Sequence, residues 1–413
     1  MKGKRQIWVL LMITGMAVAA ALFWYARLNA EPDIEEEVLI VPPRTSPPVN
    51  PHQEQLINDF ERFIDSLRTE RDIPAIAVAI VRKGQPIYIN AMGHKTNHTN
   101  DAVNLKTKFR LASVSKGFTS ILVSKMVQEG VISWEDPIHY YLTDFRPEPF
   151  SYSDSITIRN IISQTSGFPY QAYSNLIEDG WTLPEMINAL AELKVATKPG
   201  TQYSYQNVAY SIIEPILERQ TGREFPKLLN TYLFGPLQME NASAEFEDMK
   251  DSPNAAKPHR RTRYSYIPVQ LSSSYYNTAA AGGVNASIED MAKYLQMLLG
   301  DHQEAVDSSV LDEVFEPRII TPLLNRYYRK WLRARRAYYG LGWRILPLEN
   351  DTIVYHGGYA NGFKSHIALD RDDEVAICIL SNSSDNLVNE AGPYFFHLYY
   401  EYRDAINLWD KNP

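Results

Sequence analysis

The chain has 413 residues, 45% hydrophobic and 22% charged, which supplies a large core and rules out wholesale disorder. A formal net charge of −8, with no strongly basic domain, argues against nucleic acid as a partner. The single cysteine, Cys378 in VAICIL, excludes an intramolecular disulfide and reads as a buried strand residue.

Lys2, Lys4 and Arg5 precede an uncharged apolar run from Ile7 to Tyr25, and Arg27 follows it. That length is near the ~20 residues of a membrane-spanning helix and longer than a signal-peptide core. Residues 1–30 therefore read as an uncleaved anchor, with a signal cleaved near Leu28-Asn29-Ala30 as the alternative. Either way the rest of the chain is exported, in a bacterium to the periplasm. Residues 31–53 are acidic and proline-rich, a tether. The folded domain is expected over 54–405, with a short tail at 406–413.

Leu56, Ile57, Phe60, Phe63, Ile64 and Leu67 recur at helical spacing. AIAVAIVRKGQPIYINAMG (75–93) predicts two strands joined at Lys83-Gly84. From about 113 to 300 the pattern is mostly helical, broken by Pro/Gly loops. Strand patterns return at 338–345, 352–356, 364–370 and 374–382, and a last helix is expected over about 385–405. Strands at both ends with helices between them predict an α/β fold. Its central antiparallel sheet is flanked by helices and carries an inserted all-helical region.

Within FRLASVSKGFTS (109–120), Ser113 and Lys116 stand one turn apart at the start of an apolar helix. Val114, Phe118, Ile121, Leu122 and Met126 line one face; Ser113, Lys116, Ser120 and Ser124 line another. Burial and the helix N-terminus both disfavour the ammonium, so the amine is expected to lose its proton readily and take one from the serine. A lone S-x-x-K arises by chance roughly once in a chain this size, so it needs support. Tyr205 and Asn207, in TKPGTQYSYQNVAYSII, supply a proton shuttle and a substrate-orienting amide at a helix entrance. Tyr-x-Asn recurs in the chain, among other places at Tyr88, Tyr173 and Tyr275, and Tyr173 remains a rival. In VYHGGYANGFKSH (354–366), Gly357 and Gly358 permit close approach of a substrate backbone. His356 there is expected as a positive or hydrogen-bonding partner of a substrate carboxylate or of Tyr205.

In order, SVSK, YQN and HGG resemble the three elements of the serine β-lactamase and penicillin-binding protein superfamily, in its class C-like branch. ITIRNIISQTSGFP (156–169), YLFGPLQMENAS (232–243) and AAGGVNASIEDMAKYLQMLL (280–299) resemble further stretches of that family, and the likeness covers roughly residues 54–405. It implies an acyl-enzyme on Ser113, with base and acid roles shared by Lys116 and Tyr205. It also implies an oxyanion hole of the Ser113 and Tyr359 N–H groups, and a substrate amide held by Asn207. No metal or cofactor is implied. Histidine at 356, where class C β-lactamases usually carry lysine, is more similar to the D-alanyl peptidases and esterases of the branch.

The leading expectation is a D-alanyl peptidase-like or penicillin-binding enzyme acting on cell-wall peptides. The alternatives are an esterase or β-lactamase on the same scaffold, or a non-catalytic penicillin-recognising module. Expected partners are a small peptide, β-lactam or ester, peptidoglycan, and the membrane through the N-terminal helix. Arg326, Arg329, Lys330 and Arg333, with Tyr327 and Trp331, form a basic stretch that reads as a solvated helix face or a surface for lipid headgroups or an anionic wall polymer.

Overall fold

In the computed structural model, residues 50–323, 330–331 and 334–412 are described. The N-terminal helix runs over Pro51–Glu70 and so begins inside the stretch expected to be tether. Asn50 explains the early start: its side chain accepts the His52 and Gln53 N–H groups, and Pro51 occupies the first turn. Leu56, Phe60 and Ile64 form its buried stripe.

The expected hairpin follows as β1 (Ala75–Arg82) and β2 (Gln85–Gly93), closed by Lys83 and Gly84 at φ 47° and 71°. Four short strands come next: β3 (Phe109–Arg110), β4 (His259–Arg261), β5 (Tyr266–Pro268) and β6 (Asn285–Ala286). β3 pairs with β6, and β4 with β5. The late strands are β7 (Ile319–Thr321), β8 (Ala337–Tyr339), β9 (Arg344–Pro347), β10 (Thr352–Ala360), β11 (Phe363–Asp370) and β12 (Val375–Ser381). An eight-stranded antiparallel sheet runs β2-β1-β12-β11-β10-β9-β8-β7, so β1 zips against β12 from the opposite end of the chain. The single strand expected over 338–345 is instead two, because Gly340 to Trp343 turn the chain back between β8 and β9.

Alternation along the central strands explains the layers. Ile76, Val78, Ile80, Ile377 and Ile379 face a core shared with the N-terminal helix and the C-terminal helix Leu387–Lys411. Phe60 and Phe395 meet edge to face there, 5.4 Å apart. Ala77, Ala79, Ala376 and Cys378 face the opposite core with Phe118 and Tyr294. Small side chains on that face let helices come close to the sheet. Burial pushes the Cys378 thiol up, as suits an inert core residue.

The C-terminal helix passes the expected end near 405 and stops at Lys411. Its last turn is anchored by Asp410, which accepts from Asn50, Arg82 and Lys83 at 2.8, 2.7 and 3.1 Å. Among the described residues no helix is long and apolar enough to cross a membrane, and the expected anchor lies outside them. Arg326, Tyr327, Arg329 and Arg333 also lie outside them. Trp331 is buried among Tyr355, His366 and Phe396, ring centres 5.3–6.2 Å away, so it is a core anchor and not part of a lipid-facing surface.

Candidate active site

The chain leaves β3 through Leu111 and Ala112, forms a short turn of 3₁₀ helix over Ala112–Val114, and enters the central helix Ser115–Gln128. Ala112 is held at φ 48°, an uncommon conformation for a side-chain-bearing residue, directly before Ser113. The helix is buried on every side, as its even apolar distribution requires. Its polar groups find partners on the segment 280–284: the Thr119 hydroxyl donates to Ala280 O at 2.8 Å, and Val284 N–H donates to the Ser115 hydroxyl at 2.9 Å.

Lys116 is completely buried, and its amine donates to neutral acceptors. Its amine donates to Asn207 Oδ1 at 2.7 Å and to Ala281 O at 2.9 Å, and lies 4.7 Å from the Tyr205 ring centre. Burial, then the Arg344 guanidinium, pull its proton affinity well below that of an ordinary lysine. A neutral amine has two N–H donors and one lone pair. Two acceptors use both donors and leave the lone pair available.

Tyr205 and Asn207 stand just before the short helix Val208–Ser211, as the sequence predicts. A glutamine clasp holds them in place: Gln206 N–H donates to Gln164 Oε1 at 2.5 Å, and Gln164 Nε2 donates to Gln206 O at 3.0 Å. Gln171 N–H fixes Tyr205 O at 2.8 Å. Tyr210, one turn on, donates its hydroxyl to Lys116 O at 2.8 Å. Glu214 is buried and accepts Ala280 N–H at 2.8 Å, and burial raises its carboxyl to about 8. The rival Tyr-x-Asn copies have other duties. Tyr88 donates to Glu61 from β2, while Tyr173 and Tyr275 sit at left-handed φ of 56° and 70° at helix entrances.

The third element lies across from Ser113. β9 pairs with β10 only over Thr352–Tyr355, so His356 to Ala360 extend past it, still paired to β11 on the other side. At Gly358 a side chain would collide with the Leu111 carbonyl and the Ser365 hydroxyl, and its Cβ would lie 3.1 Å from Ser113 N. Only glycine allows this approach. Ser365 locks the two segments together by donating to Leu111 O at 2.5 Å. Tyr359 follows with its side chain exposed.

Of the two roles expected of His356, the structure favours hydrogen bonding over positive charge. It is buried, and its charged form is disfavoured by burial first, then by Arg344 and Lys116. Nδ1 lies 2.9 Å from Gly357 O, which can only accept, so Nδ1 carries the proton. Nε2 then accepts from Tyr339 at 3.4 Å. The imidazole is therefore a neutral partner of Tyr339, not a cation for a substrate carboxylate, and its ring centre is 6.3 Å from that of Tyr205. Arg344, Tyr339, Tyr210 and Glu214 were missed in the sequence. For Arg344 a signal existed, as a charged residue inside the apolar run LGWRILP.

Comparison with known proteins identifies the family and the fold. The profile of the family described as Beta-lactamase matches residues 60–397. The chain belongs to the Beta-lactamase family. A β-lactamase of Escherichia coli is 25% identical over 364 residues, covering 80% of this chain and 90% of that protein. Protein flp of Staphylococcus aureus is 23% identical over 347 residues, covering 81% of this chain and 65% of flp. The fold is that of the octameric penicillin-binding protein homologue from Pyrococcus abyssi. The TM-score is 0.72 at 22% identity, over 84% of this chain and 76% of that one.

Proposed function

We propose that this protein is a serine hydrolase that forms an acyl-enzyme on Ser113. The observation that carries the reading is a fully buried Lys116 amine, one turn after Ser113 and held by neutral acceptors. Its lone pair takes the Ser113 proton as the serine oxygen attacks the substrate carbonyl carbon. The resulting oxyanion meets the N–H groups of Ser113 and Tyr359, which the Gly358 approach keeps together. Tyr205 relays the proton to the leaving nitrogen or oxygen as the carbonyl re-forms. Water then repeats the steps in reverse and frees the enzyme. With Asn207 Oδ1 committed to Lys116, its amide nitrogen is the donor that orients a substrate carbonyl.

Cell-wall D-alanyl peptides are the proposed substrates, presented to a domain tethered on the outer side of the membrane by residues 1–30. A fluorescent penicillin is expected to label the full-length protein, and Ser113→Ala to abolish labelling with the fold intact. Labelling that persists in Ser113→Ala sinks this reading. One observation favours esters as a second reading: a buried, neutral His356 offers no charge to a substrate carboxylate. Turnover of short p-nitrophenyl esters, a chromogenic cephalosporin and a D-Ala-D-Ala peptide ranks the two. Peptide turnover alone removes the ester reading.

A further inference from the structure

Arg344 opens β9 directly opposite Tyr339 on β8 and Tyr355 on β10, and is almost wholly buried. Its guanidinium carbon lies 5.5 Å from the Tyr205 ring centre and 5.8 Å from that of Tyr339. Nη1 donates to the Tyr203 hydroxyl at 3.3 Å, and Tyr203 packs on Tyr339 with ring centres 5.4 Å apart. Tyr339 in turn stands edge-on to both Tyr205 and His356, at 6.5 and 6.2 Å. The guanidinium is thus built into the aromatic wall around Tyr205, one of the residues assigned to proton transfer.

We infer that Arg344 is a positioning residue of the reaction: it braces Tyr205 from β9 and supplies a permanent positive charge beside Lys116 and His356. The inference rests on the acyl-enzyme reading above. Among the described residues, the titratable and charged groups facing this cluster include Lys116 from the central helix, Tyr203 and Tyr205 from the loop, Tyr210 from the helix after it, Tyr339 from β8, Tyr355 and His356 from β10 and His366 from β11. A guanidinium stays charged throughout the working pH range, so it opposes a second positive charge nearby at every pH. After burial, its charge is what disfavours protonation of Lys116, and it acts likewise on His356. The consequence has a definite sign. Without Arg344, Lys116 holds its proton to higher pH, and the ascending limb of the rate profile moves up.

The test measures the second-order rate of penicillin acylation from pH 5 to 10 in the full-length protein and its variants. Arg344→Gln is expected to shift the ascending limb upward by about one to two pH units, the usual effect of one nearby charge. It loses about tenfold or more at pH 7 and recovers toward the parent rate at alkaline pH. Arg344→Met, which fills the aromatic cage without a charge to desolvate, carries the same expectation if the glutamine variant does not fold. Arg344→Lys restores a cation and is expected to return the limb toward its parent position. A uniform loss at all pH values, or an unmoved limb, overturns the inference and leaves the acyl-enzyme reading standing. Persistent labelling of Ser113→Ala, run in parallel, overturns both.

Discussion

Two buried basic side chains in this molecule live opposite lives. Arg82 is 5% exposed and donates to Asp410 at 2.7 Å and to Asn407 Oδ1 at 2.7 Å. Burial pulls its proton affinity down, but the Asp410 carboxylate, together with Tyr399, more than restores it. Lys116 is 0% exposed and bonds to a side-chain amide oxygen and a backbone carbonyl, beside a second cation. Its proton affinity therefore falls. Both side chains are satisfied, so hydrogen bonding alone does not separate them. A carboxylate makes a buried cation a rivet; its replacement by neutral acceptors makes a base.

The largest effect that sharpens this contrast is expected at Lys116 itself. Lys116→Ala should slow acylation by about 10³-fold or more, with melting temperature largely retained. Gly358→Ala should follow, at about 10²–10³-fold, because the added methyl forces apart the backbone segments around Ser113 N. At the rivet the readout is stability. Asp410→Asn should destabilise the fold by about 3 kcal/mol in denaturant melts while acylation is unchanged. Burial alone would raise the Asp410 carboxyl, but Arg82, Asn50 and Lys83 hold it at about 2, below its ordinary 3.8. Its contribution is thus complete above pH 3.8 and fades as pH falls toward 2. A melt equally stable in the variant from pH 5 to 8 would show that the contrast is misdrawn.

Glu214 gives the smallest expected effect and the opposite sign. An unfolded glutamate ionises near 4.5, whereas burial holds the proton on the folded one to about 8. Its contribution to stability therefore declines as pH rises from 4.5 to 8. Glu214→Gln keeps the acceptor for Ala280 N–H and should stabilise the protein by about 1–2 kcal/mol at pH 8, with little change at pH 4. Identical pH profiles in the two proteins would refute the shift.

The fold was legible wherever a pattern has a period. Alternation in β1 and β12 and the stripe of the N-terminal helix announce their buried faces without any structure. Boundaries set by a single contact were not: Asn50 starts a helix early, and Asp410 carries another to Lys411. At the site, Ser113, Lys116, Tyr205, Asn207 and Gly358 were all nominated from the sequence; the fold sets Lys116 against Tyr205 and Asn207, and Gly358 against the backbone N–H of Ser113. For His356 the sequence left a positive and a hydrogen-bonding role open, because burial, which disfavours its charge most, and the nearby Arg344 and Lys116 emerge only from the fold. Glu214 was invisible for the same reason: its partner is Ala280, 66 residues away.

The most direct test is a nitrogen-15 NMR titration of full-length protein labelled at lysine Nζ, with the Lys116 signal assigned by its loss in Lys116→Arg. A neutral amine at pH 7, gaining its proton only as the solution is acidified, is the result expected here. An ammonium at Lys116 that persists into the ordinary lysine range, near pH 10, would contradict a lysine that unloads Ser113.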